Sequence, residues 1–86
     1  MKIKYEMIKR EIAGETYLVP VGEAAHKYSG LFAMTDVGAF IWDKLPEASD
    51  EKEVLDAVLE EYDVDYETAK ADVEEFLCRL KEIGLI

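Results

Sequence analysis

This chain is poor in the residues that most chemistry needs, with one cysteine, one histidine and two serines in 86 positions, and each scarcity removes a class of function. Cys78 alone cannot form an internal disulfide, which suits a reducing compartment. One cysteine with one histidine, His26, does not make a nitrogen-and-sulfur metal site within a single chain, so no metal is expected. Ser29 and Ser49 lack the preceding aspartate at a helix start that a carrier protein uses to mount a prosthetic arm. No glycine-rich phosphate loop is present, and no cofactor is expected. Apolar runs are only a few residues long, so nothing spans a membrane. The start, Met1-Lys-Ile-Lys-Tyr-Glu6, has neither the apolar stretch nor the cleavage site of a secretory signal, which makes the cytoplasm the expected compartment.

Basic residues are also scarce, and their distribution is uneven. The net charge is −10. Residues 1–46 carry six acids and six bases, whereas residues 47–86 carry fourteen acids against four bases, Lys52, Lys70, Arg79 and Lys81. The whole excess therefore lies in the second half. A strongly acidic surface is repelled by the phosphates of a duplex, so nucleic acid is a poor partner and a basic protein or peptide a better one.

What is present, half hydrophobic and a third charged, is the profile of one globular domain spanning 1–86. From Ile3 to Ile12 the apolar residues change phase, which predicts a bulge or a strand beginning near Glu6. Ala13-Gly14-Glu15 is a compact turn, and Thr16 to Val21 is rich in β-branched and aromatic residues, so the two runs predict a hairpin. Pro20 removes an amide near the end of the second strand. Gly22 to Gly30 reads as a loop or an extension of the hairpin, with turns at both glycines. Leu31 to Met34 is a short third strand that runs straight into a helix. Thr35 caps this helix, Val37, Phe40, Ile41 and Leu45 recur along it, and Pro46 ends it.

A second helix follows the cap at Ser49 or Asp50, with Glu53 placed to reach back. Asp65 caps a third, in which Tyr66, Ala69, Val73, Phe76, Leu77, Leu80 and Ile83 recur every three or four residues until Gly84 stops it. Three short N-terminal antiparallel strands followed by three helices make an α+β domain resembling a winged helix-turn-helix with its strands placed first. A short third strand belongs at a sheet edge, where unpaired backbone groups can accept another segment or a second copy of the chain.

Candidate chemical groups each have a plainer reading. His26 reads as a surface loop residue rather than a general base, and Cys78 as a small, partly buried hydrophobe of the third helix. Glu60, Glu61, Asp63 and Asp65 crowd together without the glycine turn and terminal glutamate of a calcium loop, so they read as a solvated helix end. Phe40 reads as core. Trp42 lies off the main apolar face, packed on another element or lining a groove. No constellation for catalysis emerges, and the chain is not expected to be an enzyme.

Several segments resemble one family. Leu31-Phe-Ala-Met-Thr-Asp-Val-Gly-Ala-Phe-Ile-Trp-Asp-Lys-Leu45 is similar to the stretch of PqqD-like proteins that has a leucine and asparagine, a turn of small residues, an isoleucine and a tryptophan. Val19-Pro-Val-Gly22, Glu60 to Asp65, Ala71 to Leu77 and Leu80 to Ile86 resemble the same family, in the same order. Met34 and Thr35 stand where leucine and asparagine are usual.

The resemblance implies a non-catalytic recognition element for ribosomally made, modified peptides. Such an element binds the leader of a precursor peptide as an added strand and presents it to a modifying enzyme, often a radical S-adenosylmethionine protein. Carried onto this chain, the peptide-binding positions are Leu31, Phe32, Ala33 and Met34 for backbone pairing. Val73, Phe76, Leu77 and Leu80 form the groove wall, and Val73→Glu is expected to block the groove with the fold intact. Asp72, Glu74 and Glu75 flank it and favour a basic leader or a basic patch on the enzyme. The rival readings are a winged-helix nucleic-acid binder, which the charge of the third helix opposes, and an acidic carrier protein, which the serine settings oppose.

Overall fold

The computed structural model describes residues 1–86 throughout. Strands β1 (Met7–Ile12) and β2 (Glu15–Pro20) form the predicted hairpin, in register from Ile12 opposite Glu15 to Met7 opposite Pro20. Its turn is Ala13-Gly14, both with positive φ (54° and 83°). That is the geometry a two-residue hairpin needs to match the right-handed twist of its strands. Strand β3 (Phe32–Met34) lies antiparallel to β2, giving a three-stranded sheet ordered β1-β2-β3. Between β2 and β3 the structure adds a five-residue helix, α1 (Glu23–Lys27), in the stretch that reads as loop or hairpin extension. Its Ala24 is fully buried, while His26 is exposed.

Helices α2 (Asp36–Lys44), α3 (Glu51–Glu61) and α4 (Tyr66–Glu82) follow, each opened by a side-chain cap. The Thr35 hydroxyl accepts from the Gly38 amide at 3.0 Å and Asp50 from the Glu53 amide at 3.0 Å, while Glu53 accepts in return from the Ser49 amide. Asp65 accepts from the Thr68 amide at 3.3 Å. Hydrogen bonds from the Thr68 side chain and then from its amide hold the Asp65 carboxyl below the usual carboxylate range. At the far end Gly84 takes φ 84°, the Gly84 amide donates to Lys81 and the Leu85 amide to the Leu80 carbonyl. This paired closure turns the chain sharply back and leaves Leu85 with no exposed surface.

The helices cover one face of the sheet. Leu18 from the middle of β2 shares one core with Ile41 and Leu45 of the α2 region, Val54 and Val58 of α3, Val73 and Leu77 of α4, and the returning Leu85. The N-terminal segment is drawn in as well: its terminal ammonium donates to the carbonyls of Leu45 and Ala48, and the Lys4 amide donates to Leu85 at 2.7 Å. Trp42 is buried in this core. Phe40 is only half-buried, its ring edge-on to Tyr62 at 5.4 Å, and Cys78 is exposed rather than partly buried, because it falls on the solvent side of α4. No helix is long and apolar enough to cross a membrane.

Candidate functional site

The hydrogen-bond parity of the hairpin fixes what β3 offers. In a two-residue hairpin the residues flanking the turn exchange both backbone bonds, and bonded pairs then alternate. Counting from Ile12 and Glu15, the bonded pairs include Arg10 with Tyr17 and Ile8 with Val19. The next in the series is Glu6 with Val21, and the Val21 amide does donate to the Glu6 carbonyl, at 3.3 Å. The backbone groups of Thr16, Leu18 and Pro20 therefore point the other way, toward β3.

Since Thr16 faces Met34 and Leu18 faces Phe32, those two residues of β3 bond to β2. Ala33, opposite Tyr17, turns its amide and carbonyl outward to the free edge. Pro20 lies beyond the last β3 partner, so its missing amide leaves no neighbour unpaired.

Side chains alternate on the same strand. Phe32 and Met34 turn inward, half-buried against the core, and Ala33 is exposed on the outer face. Leu31 lies just ahead of β3 and is 50% exposed. Leu31 to Met34 is apolar throughout, so its pattern does not say which pair faces the core; the structure does. Beside the free edge, between β3 and α4, lies an apolar cleft of about 250 Å³. Phe32, Ala33 and Met34 form one wall, Phe76, Leu80 and Ile83 the other, with Leu18 and Leu85 at its floor. Tyr28 braces Phe32 edge-on at 5.6 Å and donates its hydroxyl proton to the Ile83 carbonyl, tying the two walls together from behind.

The residues expected to form the groove wall separate on inspection. Phe76 and Leu80 border the cleft. Val73 and Leu77, each 1% exposed, point into the core and present nothing to a ligand. Val73→Glu would bury an unpaired carboxylate and damage the fold itself, contrary to the expectation from the sequence. The apolar stripe of α4 is wide enough to serve two purposes, and residue spacing does not say which edge of the stripe meets the cleft.

The acidic residues also divide. Asp72 and Glu75 line a second hollow next to the cleft, whereas Glu74 faces away, 4.0 Å from Lys70. The hollow is also bordered by residues the sequence did not assign to the site: Thr35, read only as a cap, Val37 and Ile41, read only as apolar positions of the helix, and Gly38 and Arg79. Arg79 was legible as the position three beyond Phe76 on the same helical face, but a search for apolar periodicity passes over a cation. No group of three or more histidine, cysteine, aspartate or glutamate side chains is placed to hold a metal.

Comparison with models of known families matches residues 15–86 to coenzyme PQQ synthesis protein D (PqqD). The chain belongs to the PqqD family. The match takes in everything from β2 onward, so the free edge and the cleft both lie within the matched residues, while β1 lies ahead of them. Among solved structures, TbiB1 in complex with the TbiA(beta) leader peptide is 30% identical with a TM-score of 0.70, covering 99% of this chain and 93% of that one. A lasso peptide synthetase B1 complexed with the leader peptide shares the fold, with a TM-score of 0.69 at 19% identity over 98% of this chain and 93% of the other. No curated protein matches the chain significantly.

Proposed function

We propose that residues 1–86 act as one non-catalytic peptide-recognition domain. It binds the leader of a ribosomally made precursor peptide by β-strand addition and presents it to a separate modifying enzyme in the cytoplasm. The observation that carries this reading is the outward-turned amide and carbonyl of Ala33 on a free edge beside an apolar cleft. Backbone pairing at such an edge gives affinity with little demand on sequence, and side-chain pockets beside it give selectivity. Membership of the PqqD family and the likeness to TbiB1, solved with a leader peptide, support it.

In this reading Leu31 and Ala33 form the pairing edge, Phe32 and Met34 hold that edge to β2 through their own backbone bonds, and Phe76 and Leu80 touch the leader side chains. Val73 and Leu77 hold α4 in place beneath them. A radical S-adenosylmethionine protein is the enzyme class the resemblance implies. The same edge can pair with a second copy of the chain, which would then compete with the leader. Asp72, Glu74 and Glu75 on α4 make a poor recognition helix for DNA.

Ala33→Pro tests the reading. It deletes the one donor in β3 that turns away from β2, so the fold is expected to survive while leader affinity falls at least tenfold by calorimetric titration, the scale of a lost backbone hydrogen bond and a blocked edge. Undiminished affinity in a folded Ala33→Pro variant sinks strand addition at β3.

A further inference from the structure

Two hollows adjoin along the face of α4, and their chemistry differs. The apolar cleft of about 250 Å³ lies over Leu18, Leu80 and Leu85. The second, about 420 Å³, opens past Phe76 toward the start of α2, where Val37 and Gly38 face Asp72 and Glu75. Thr35, Phe76 and Arg79 border both, so they form the divider. The Phe76 ring packs closely on Gly38: a methyl group there would come within 3.2 Å of Phe76 Cε1 and 3.2 Å of Thr35 Oγ1, so the ring would have to shift.

The charge of the second hollow is negative. Arg79 Nη2 is held by Glu75 Oε1 at 3.1 Å, and Asp72 has no cationic partner. The spacing of the two hollows is also informative. Asp72, Phe76 and Arg79 border the second hollow, and Phe76, Leu80 and Ile83 the first, an offset of one helical turn or roughly 5–6 Å. Side chains two residues apart on one face of an extended strand stand about 6.6 Å apart. The two distances agree closely enough for neighbouring same-face side chains of one added strand to enter the two hollows.

Resting on the leader-binding reading above, we infer that the cleft reads its peptide at two alternate positions: a bulky apolar side chain in the hollow over Leu80, and a lysine or arginine two residues away in the hollow beside Asp72. Backbone pairing along β3 sets the strand, and the Phe76 ring keeps the two side chains apart. Glu74, on the outer flank with Lys70, takes no part.

Selection of randomised displayed peptides on the full chain, followed by fluorescence anisotropy with the best binders, tests this. The expected outcome is joint enrichment of an apolar residue and a basic residue two positions apart. Replacing the basic residue by norleucine should weaken binding about fivefold, the upper range for a solvent-accessible ion pair. Asp72→Asn should remove most of that difference, and Glu74→Gln, outside the hollow, should leave it unchanged. Binders rich in apolar residues that lack the basic partner, or an Asp72→Asn variant that keeps the full preference, overturn the two-position inference and leave leader binding standing. Failure to select any peptide contradicts leader binding itself, and this inference with it.

Discussion

Phe76 and Leu77 are neighbours in sequence with opposite duties. Leu77 is 1% exposed among the packed side chains of α4, β2 and α2, and Phe76 is half-buried at the mouth of the cleft. Truncating Leu77 to alanine leaves a cavity in the centre of the core and is expected to cost roughly 2–4 kcal/mol of stability. Phe76→Ala removes a cleft wall and should show a smaller stability loss with a larger loss of peptide affinity. Urea unfolding and calorimetric titration of both variants separate the roles. Equal stability losses would place Phe76 in the core and remove it from the site. Gly38 makes a related point at residue scale, since a Cβ there would crowd the Phe76 ring at 3.2 Å.

Among the elements, α4 depends most visibly on a single cap. The Asp65 carboxyl, fully exposed, is held below the ordinary aspartate value of 3.8 by hydrogen bonds from the Thr68 side chain and amide. A carboxyl whose pKa is lowered by folding stabilises the folded state at pH values above its unfolded pKa, and loses that contribution as pH falls through its folded pKa. Asp65→Ala is therefore expected to lower the thermal midpoint at neutral pH, with the gap to the parent chain narrowing as pH drops below the ordinary aspartate value. A gap independent of pH would mean that the cap acts through something other than the ionised carboxylate.

The caps were the most legible part of the sequence. Thr35 and Asp65 each precede an apolar period, Ser49 or Asp50 precedes another, and Gly84 follows one; in the structure Thr35, Asp50, Asp65 and Gly84 bound the helices. Helix α1 was hidden because five residues do not complete an apolar period, and its start at Gly22 has no side-chain cap. The facing of β3 was hidden because Leu31-Phe-Ala-Met34 is apolar throughout and shows no alternation. Only the turn geometry at Ala13-Gly14, counted across β2, reveals that Ala33 is the residue with free backbone groups.

At the scale of the whole molecule, the charge boundary falls inside the helical layer. The neutral residues 1–46 supply the sheet, its free edge, α1 and α2, and the acidic remainder supplies α3 and α4, the helix that walls the cleft. A net charge of −10 opposes close approach of two copies, which on the proposed reading weighs against self-pairing at the exposed β3 edge and for a basic peptide there. The central claim is that the peptide joins the sheet at β3, and amide hydrogen exchange reads this directly. In the free chain the Phe32 and Met34 amides, bonded to β2, should exchange slowly and the Ala33 amide quickly. On saturation with a precursor leader, Ala33 should become protected to a similar degree. A bound leader that leaves the Ala33 amide exchanging as fast as before would contradict strand addition.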